Sequence, residues 1–197
     1  GLFSVKNYHP FWATAPKPRI WAGANMPQML AMAAKAADGI FFSDLTAPLA
    51  ADAVKSVRTR TERTLAFNNF FAWHVYDDRT AGRAEARQWL ALRGLFRRWV
   101  VTTFLSDADY DVVERNMLLF FEALAKGPEV LDAVPAHILD ALVDNLTLNG
   151  GPEDADAIAA KLAAFRDAGL TDIALRLYRD PAASIRFIAE RILPALG

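Results

Sequence analysis

Residues 19–30 read RIWAGANMPQML, and this stretch sets the pattern on which most of the chain is built. An apolar run ends at Gly23, and Pro27 stands where a helix is expected to begin. Proline suits the first turn of a helix, because an N–H there has no intrahelical partner. Apolar residues then recur at helical spacing, at Leu30, Ala33, Ala34 and Ala37. The stretch therefore predicts a short strand, a small turn and a helix, which together make one βα unit.

The order of strand, turn and helix recurs along the chain. Strands are predicted at 18–24, 40–43, 65–76 and 172–178, and strands that alternate with helices favour a parallel sheet covered by helices. No repeat of fixed period and no linker is visible, so we predict a single domain over 1–197. Its predicted parts are an N-terminal hairpin at 1–14, βα units at 18–61, a strand plus helical insertion at 65–147, and a final αβα unit at 152–194.

The insertion is predicted to be helical throughout. One helix is expected from Ser106 to Lys126, with Tyr110, Val113, Met117 and Phe121 together on one side. Before it, an apolar helix face is marked by Leu92, Phe96, Trp99 and Val100. Arg97 and Arg98 are expected on a solvated face, and the aromatic residues Trp89, Phe96 and Trp99 are expected in the core or at a subunit contact.

Composition narrows the possible functions. The chain has 197 residues, is 53% apolar, and carries a net charge of −1, so a nucleic-acid partner is not expected. It has no cysteine, which excludes disulfides and thiolate catalysis. The histidines are scattered, and we predict no metal site. No signal peptide or apolar run long enough to span a membrane is visible, so a cytoplasmic protein is expected.

The turn after the first strand is suited to an anion. The first N–H groups of a helix lack intrahelical partners, and the helix dipole adds partial positive charge there. Gly23 and Ala24 are small enough to let a phosphate approach the backbone, and the amides of Asn25 and Met26 are expected to donate to it. The alternative is that small residues only make a tight joint between strand and helix.

Longer stretches resemble a known family. Residues 17–44, KPRIWAGANMPQMLAMAAKAADGIFFSD, resemble the stretch P-I-x-V-G-A-x-x-P-x-M-L-x-x-A-A-x-x-A-D-G of the bacterial luciferase-like oxidoreductases, which are flavin-dependent monooxygenases and deazaflavin-dependent reductases. Residues 146–178 resemble the segment of that family with a G-x-P-E helix before the eighth strand, and residues 187–196, FIAERILPAL, resemble its usual ending. The resemblance is weakest across 79–133.

The resemblance implies a fold. The family forms a (β/α)8 TIM barrel, and the predicted strands match its strands five to eight, with a helical insertion after the seventh strand. The expected fold is therefore α/β, the C-terminal half of such a barrel. A barrel usually needs about 250 residues. A fragment of a longer parent is therefore expected, and an incomplete gene or a true half-barrel are the alternatives.

The resemblance also implies a cofactor and a site. In the family the loop after the fifth strand contacts the phosphate and ribityl side of FMN or of a deazaflavin coenzyme of the 8-hydroxy-5-deazaflavin type, and this role falls on Gly23, Ala24, Asn25 and Met26. Further candidates, for a substrate pocket, are Asn69, Trp73, His74 and Arg176. Strand alternation puts Trp73 and His74 on opposite faces, and a packed aromatic residue or a structurally paired histidine is the alternative for each. Catalytic residues are not predicted.

The expected function is that of an oxidoreductase or monooxygenase which transfers a hydride or oxygen with FMN or the deazaflavin coenzyme. The partners implied are a small-molecule substrate and, in the full-length parent, a second copy as a homodimer. Because other cofactor contacts of the family come from its strands one to four, the chain alone is expected to be inactive. A non-catalytic half-barrel or interaction scaffold is the alternative, and a phosphate-binding barrel with another ligand is a third possibility.

Overall fold

The computed structural model describes Ser4, Lys6 and residues 18–197. In that part of the chain the strands form one sheet in which every pairing is parallel. The strands are β1 (Trp21–Gly23), β2 (Gly39–Ser43), β3 (Ala66–Val75), β4 (Thr147–Gly150) and β5 (Asp172–Leu177). The predicted α/β class with a parallel sheet is confirmed. The hairpin predicted at 1–14 lies outside the described residues, apart from Ser4 and Lys6.

Helices connect the strands. They are α1 (Pro27–Ala36), α2 (Ala47–Arg58), α3 (Arg79–Gln88), α4 (Arg98–Val101), α5 (Asp107–Arg115), α6 (Met117–Lys126), α7 (Ala136–Leu146), α8 (Ala155–Asp167), α9 (Pro181–Phe187) and α10 (Leu193–Leu196). Short 3-10 turns lie at Leu90–Leu92, Gly94–Phe96, Pro128–Leu131 and Pro152–Asp154, and a π-helical turn at Ile188–Ile192 joins α9 to α10. Among residues 18–197, no helix is both long and apolar enough to cross a lipid bilayer.

Strand β3 is the centre of the sheet. It pairs with β2 along 66–70, with β5 along 68–73 and with β4 along 72–75. Because the β5 pairing overlaps both of the others, β5 takes one edge of β3, while β2 and β4 follow each other along the opposite edge. Strand β4 was not predicted: its sequence, TLNG, has neither an apolar alternation nor a β-branched run to mark it.

The sheet has two unlike faces. What we call the helix face carries buried apolar side chains of β2 and β3 that pack on α8 and α9, as shown by the ring of Phe71 at 5.4 Å from Phe165 and that of Trp73 at 6.1 Å from Phe187. What we call the insertion face carries the alternate residues. There the side chains are half-buried or exposed over much of the sheet, including Trp21, Phe41, Asn68, Phe70 and Arg176.

The insertion differs from its prediction. The helix expected over 106–126 is broken at Asn116 into α5 and α6, and Ser106 caps α5 by accepting a hydrogen bond from the Asp109 N–H. The break changes the helical phase, so α6 buries Phe120 and Ala123 and exposes Met117 and Phe121. The stretch before it is likewise not one amphipathic helix but two 3-10 turns and the short α4, and they leave Leu92 and Trp99 exposed.

Candidate functional site

The β1–α1 loop has open space and two free donors. A Cβ placed on Gly23 would meet nothing within 4 Å. The Ala24 amide is engaged in the sheet, donating to the Phe41 carbonyl at 3.2 Å, but the amides of Asn25 and Met26 meet no acceptor within residues 18–197. The loop therefore presents two main-chain donors, at the carboxyl end of β1, where parallel α/β sheets bind ligands.

The Asn25 side chain joins this loop to β2. With its amide in one orientation, the oxygen accepts a hydrogen bond from the Ser43 N–H at 3.3 Å. Rotated by half a turn, the oxygen accepts from Arg97 Nη1 at 2.9 Å, and the nitrogen donates to the Ala24 carbonyl at 3.2 Å. We favour the rotated orientation, because it replaces the single, longer bond from Ser43 with two bonds, one to Arg97 and one to Ala24. Asn25 does not cap α1; Met26 occupies the N-cap position without a side-chain bond.

A cluster of buried ion pairs forms at Asp44, the residue that follows β2. Asp44 is 2% exposed and accepts hydrogen bonds from Arg93 Nη1 at 3.1 Å and Arg97 Nη2 at 3.2 Å. The Ser43 hydroxyl donates to the same carboxylate at 2.8 Å. Burial raises the pKa of Asp44, and Arg93, Ser43 and Arg97 oppose this rise by favouring the charged form. Two cations of the insertion are thus held on one anion of the sheet.

The backbone at Asp44 is strained. Its φ is +52°, in the left-handed region that residues other than glycine rarely occupy. The main chain is held there on both sides, since the Asp44 N–H donates to the Phe70 carbonyl at 3.0 Å and Asn69 binds Leu45. Strained residues of this kind concentrate at functional sites.

A second polar cluster surrounds the end of β3. His74 is fully buried, and its Nδ1 lies 3.0 Å from Glu85 Oε2 of α3. The Tyr76 hydroxyl donates to the same oxygen at 2.7 Å. Burial lowers the pKa of His74, so the neutral ring donates through Nδ1–H to Glu85 and keeps Nε2 as an acceptor. Nε2 is buried and has no partner in the part of the chain that the structure describes.

A glycine sets the position of Glu85. A Cβ on Gly82 would stand 2.8 Å from the carbonyl oxygen of His74, so only glycine lets α3 lie this close to the end of β3. Glu85 follows within one helical turn and faces His74.

Aromatic rings extend the second cluster to β5. Tyr178 stacks on His74 with ring centroids 4.8 Å apart, and the Trp89 ring lies 5.1 Å from that of Tyr178. The Arg176 guanidinium lies over the Tyr178 ring at 4.8 Å. Burial raises the pKa of Tyr178, whose hydroxyl is buried without a partner among residues 18–197.

The structure divides the candidates predicted for a substrate pocket. His74 and Arg176 share the insertion face, and the predicted opposition of Trp73 and His74 across β3 is confirmed by their contacts. Asn69 and Trp73 lie buried on the helix face. Asn69 binds both the N–H and the carbonyl of Leu45, at 3.3 and 2.9 Å, which is a structural task. The pocket role of these residues stays a prediction.

Sequence reasoning missed the residues that link the insertion to the sheet. The expectation that Arg97 is solvated is wrong, because it binds Asp44 and the Ser43 carbonyl, the latter at 2.8 Å. The contacts come from residues spaced by four in the chain, Glu85, Trp89, Arg93 and Arg97. This spacing was the available signal, since it favours one side of a helical segment.

Comparison with known proteins now identifies the family. A family model described as luciferase-like monooxygenase matches residues 4–172. The chain belongs to this family. No curated protein matches it significantly.

Solved structures share the fold. The coenzyme F420 dependent tetrahydromethanopterin reductase from Methanopyrus kandleri is 17% identical, with a TM-score of 0.63 over 91% of this chain and 51% of that one. An F420-dependent secondary alcohol dehydrogenase, solved in complex with an F420-acetone adduct, is 12% identical, with a TM-score of 0.64 over 99% of this chain and 54% of that one. DmoA from Hyphomicrobium sulfonivorans is 15% identical, with a TM-score of 0.50 over 96% of this chain and 46% of that one.

These structures bear on the fold alone, given their low identity. This luciferase-like chain spans about half the length of the solved structures to which it is similar.

Proposed function

We propose that this chain is part of a flavin- or deazaflavin-dependent oxidoreductase and binds the phosphate of that cofactor at Gly23, Ala24, Asn25 and Met26. The observation that carries the proposal is the pair of free amides, Asn25 and Met26, beside the open space at Gly23. Family membership supports it, and so does the dependence of two structurally similar enzymes on coenzyme F420.

The residues present fit the phosphate end of such a group. A side chain at Gly23 would fill the space that a phosphate needs, the two amides of the same loop are free to donate to it, and the start of α1 adds partial positive charge. When bound, the cofactor would supply hydride or oxygen chemistry. The chain's part in this proposal is to hold and orient the phosphate end. Separate titrations with FMN and with the deazaflavin coenzyme identify which of the two it binds.

The proposal includes the half-barrel. Strands β1, β2, β3 and β5 would correspond to strands five to eight of a (β/α)8 barrel, with α3–α7 as the insertion after the seventh. Exposed apolar side chains near β1 and in the last helices support this correspondence with half of a barrel. They are Ile20, Trp21, Met29 and Met32 beside β1, and Ile185 and Leu193 in the last helices. In a barrel these positions would face neighbouring βα units. Without those units, the chain alone would be inactive.

A titration tests the cofactor site. Fluorescence of FMN, and separately of the deazaflavin coenzyme, is followed as the chain is added at micromolar concentration. Gly23→Val should abolish the fluorescence change, because the valine side chain would occupy the open space that the phosphate needs while leaving the fold intact. Ala36→Val, at the exposed far end of α1, should leave the fluorescence change as in wild type. If wild type changes neither signal, or Gly23→Val binds as wild type does, the proposed site is wrong.

The same exposed apolar side chains favour a second function, that of a non-catalytic scaffold. In that case the chain would bind neither cofactor, and it would associate through these surfaces. Sedimentation of wild type and of Met32→Glu distinguishes the scaffold from the cofactor-binding protein. Met32 is 65% exposed, so the glutamate charge should dissociate an assembly formed through this surface without unfolding α1.

A further inference from the structure

The insertion brings surplus positive charge to the carboxyl ends of β1 and β2. Arg93 and Arg97 both bind Asp44, and one carboxylate neutralises only one of the two guanidinium groups. About one unit of positive charge therefore remains in a poorly hydrated place, where an unbalanced charge is costly. A bound anion would balance it.

The two arginines are placed differently. The Arg93 side chain is 3% exposed, lies over the Phe70 ring at 5.2 Å, and keeps its Nε buried without an acceptor among the residues described. The Arg97 side chain is 27% exposed. Arg93 is thus a fixed support within the protein, and Arg97 is the guanidinium that a ligand can reach.

Arg97 adjoins the β1–α1 loop. Its Nη1 is 2.8 Å from the Ser43 carbonyl and 2.9 Å from the favoured position of the Asn25 amide oxygen. The main-chain amide of the same Asn25 is one of the two free donors. A planar guanidinium and main-chain amides together form a strong recognition set for phosphate. Gly94 leaves room for this arrangement, because a Cβ there would lie 2.9 Å from Arg97 Nη2.

We propose that Arg97, supported by Arg93, is the cationic contact for a phosphate monoester bound at Asn25 and Met26. The phosphate site then has two sides: the β1–α1 loop supplies the amides, and the insertion after β3 supplies the charge. This inference rests on the proposed function for the identity of the ligand, but not for the existence of the anion site.

The first experiment uses inorganic phosphate. Phosphate is titrated into the 15N-labelled full chain at constant ionic strength, and the amide resonances of Asn25 and Met26 are followed. They should shift in wild type and in Arg98→Gln, a control at the next residue whose side chain binds Asp107 and Asp111 instead. The apparent affinity should fall at least about 10-fold in Arg97→Gln and partly recover in Arg97→Lys. Resonances that stay still in wild type, or shift equally in Arg97→Gln, overturn the inference.

The second experiment compares FMN with riboflavin, which has the same ring and no phosphate. Arg97→Gln should raise the Kd of FMN by roughly 10- to 100-fold and leave that of riboflavin unchanged. An equal loss for both would show that Arg97 only supports the fold, against the inference. If wild type binds neither FMN nor the deazaflavin coenzyme while the phosphate shifts require Arg97, the proposed function fails and the anion site stands.

Discussion

The two faces of β3 carry adjacent residues with opposite roles. On the helix face, Trp73 packs on Phe187 and Asn69 holds the turn after β2. On the insertion face, His74 has an orphaned Nε2 and Asn68 a buried, unpartnered Oδ1 within the described chain. The helix face is closely packed and leaves one buried donor, Trp73 Nε1, without a partner among the described residues, whereas the insertion face leaves two buried acceptors unpartnered, which a ligand that donates hydrogen bonds would satisfy. The difference indicates where stability and function are divided in this sheet.

The largest effect is expected where the helix face is most tightly packed. Trp73→Ala should lower the free energy of unfolding by about 4 kcal/mol, because it removes a fully buried ring and leaves a cavity. Trp21→Ala, on the insertion face and 38% exposed, should cost less than about 2 kcal/mol. Urea unfolding measures both. Similar losses in the two variants would erase the distinction between the faces.

The next effect comes from the ion-pair cluster. Arg93→Met should destabilise by about 2 to 3 kcal/mol, since it removes a buried charge-assisted hydrogen bond to Asp44, although Arg97 and Ser43 still bind that carboxylate. Arg87→Met is the matched control: Arg87 pairs with Asp140 at a more exposed position and should cost about 1 kcal/mol or less. Chemical denaturation measures the free energy of unfolding of both variants. If Arg93→Met loses no more stability than Arg87→Met, the buried cluster is not the stronger contact.

The adjacent asparagines sharpen the contrast further. Asn69→Ala leaves the Leu45 N–H and carbonyl without their partner and should cost about 2 kcal/mol. Asn68→Ala removes a group whose oxygen has no partner among residues 18–197, and should change stability by about 0.5 kcal/mol or less. Thermal unfolding of the two variants decides the matter; the reverse order would show that the faces have been assigned wrongly.

The smallest effect is one of pH. Burial lowers the pKa of His74 in the folded state, although Glu85 opposes the shift, whereas the unfolded chain titrates at about 6.5. The stability that this contributes is present above the unfolded pKa, and it is lost as pH falls below about 6.5, because only the unfolded state then binds the proton. His74→Asn keeps a donor near Glu85 but does not titrate, so it should lose less stability between pH 7.5 and 5.5 than wild type does.

The control for this comparison is His137→Asn, at an exposed histidine that contacts Asp109. It should follow the wild-type pH dependence in urea unfolding measured at the two pH values. A His74→Asn profile that matches wild type would show that His74 is not the titrating group.

Much of the sheet and its helices was predictable, because the signals are local. In α8 the apolar residues that recur at helical spacing, Ala155, Ile158, Leu162 and Phe165, are all buried, and Gly169 follows the helix with φ at +93° as a left-handed C′ residue should. The β1–α1 unit was found through Gly23 and Pro27, although β1 is shorter than predicted.

The insertion was less predictable, because its helices depend on what they pack against. The break at Asn116 follows no glycine or proline, yet it reverses which side of α6 is buried. The roles of Arg93 and Arg97 depend on Asp44, about fifty positions earlier in the chain.

By itself, the sequence determined the alternation of strands and helices, the small-residue loop after β1 and the family to which the chain belongs, since each of these is written in neighbouring residues or in a long ordered match. Only the tertiary structure decided which amides of that loop are free, which face of β3 holds unpartnered acceptors, and which arginines reach the sheet. Those outcomes depend on contacts between segments far apart in the chain, and on the cost of burying a polar group or a charge without a partner.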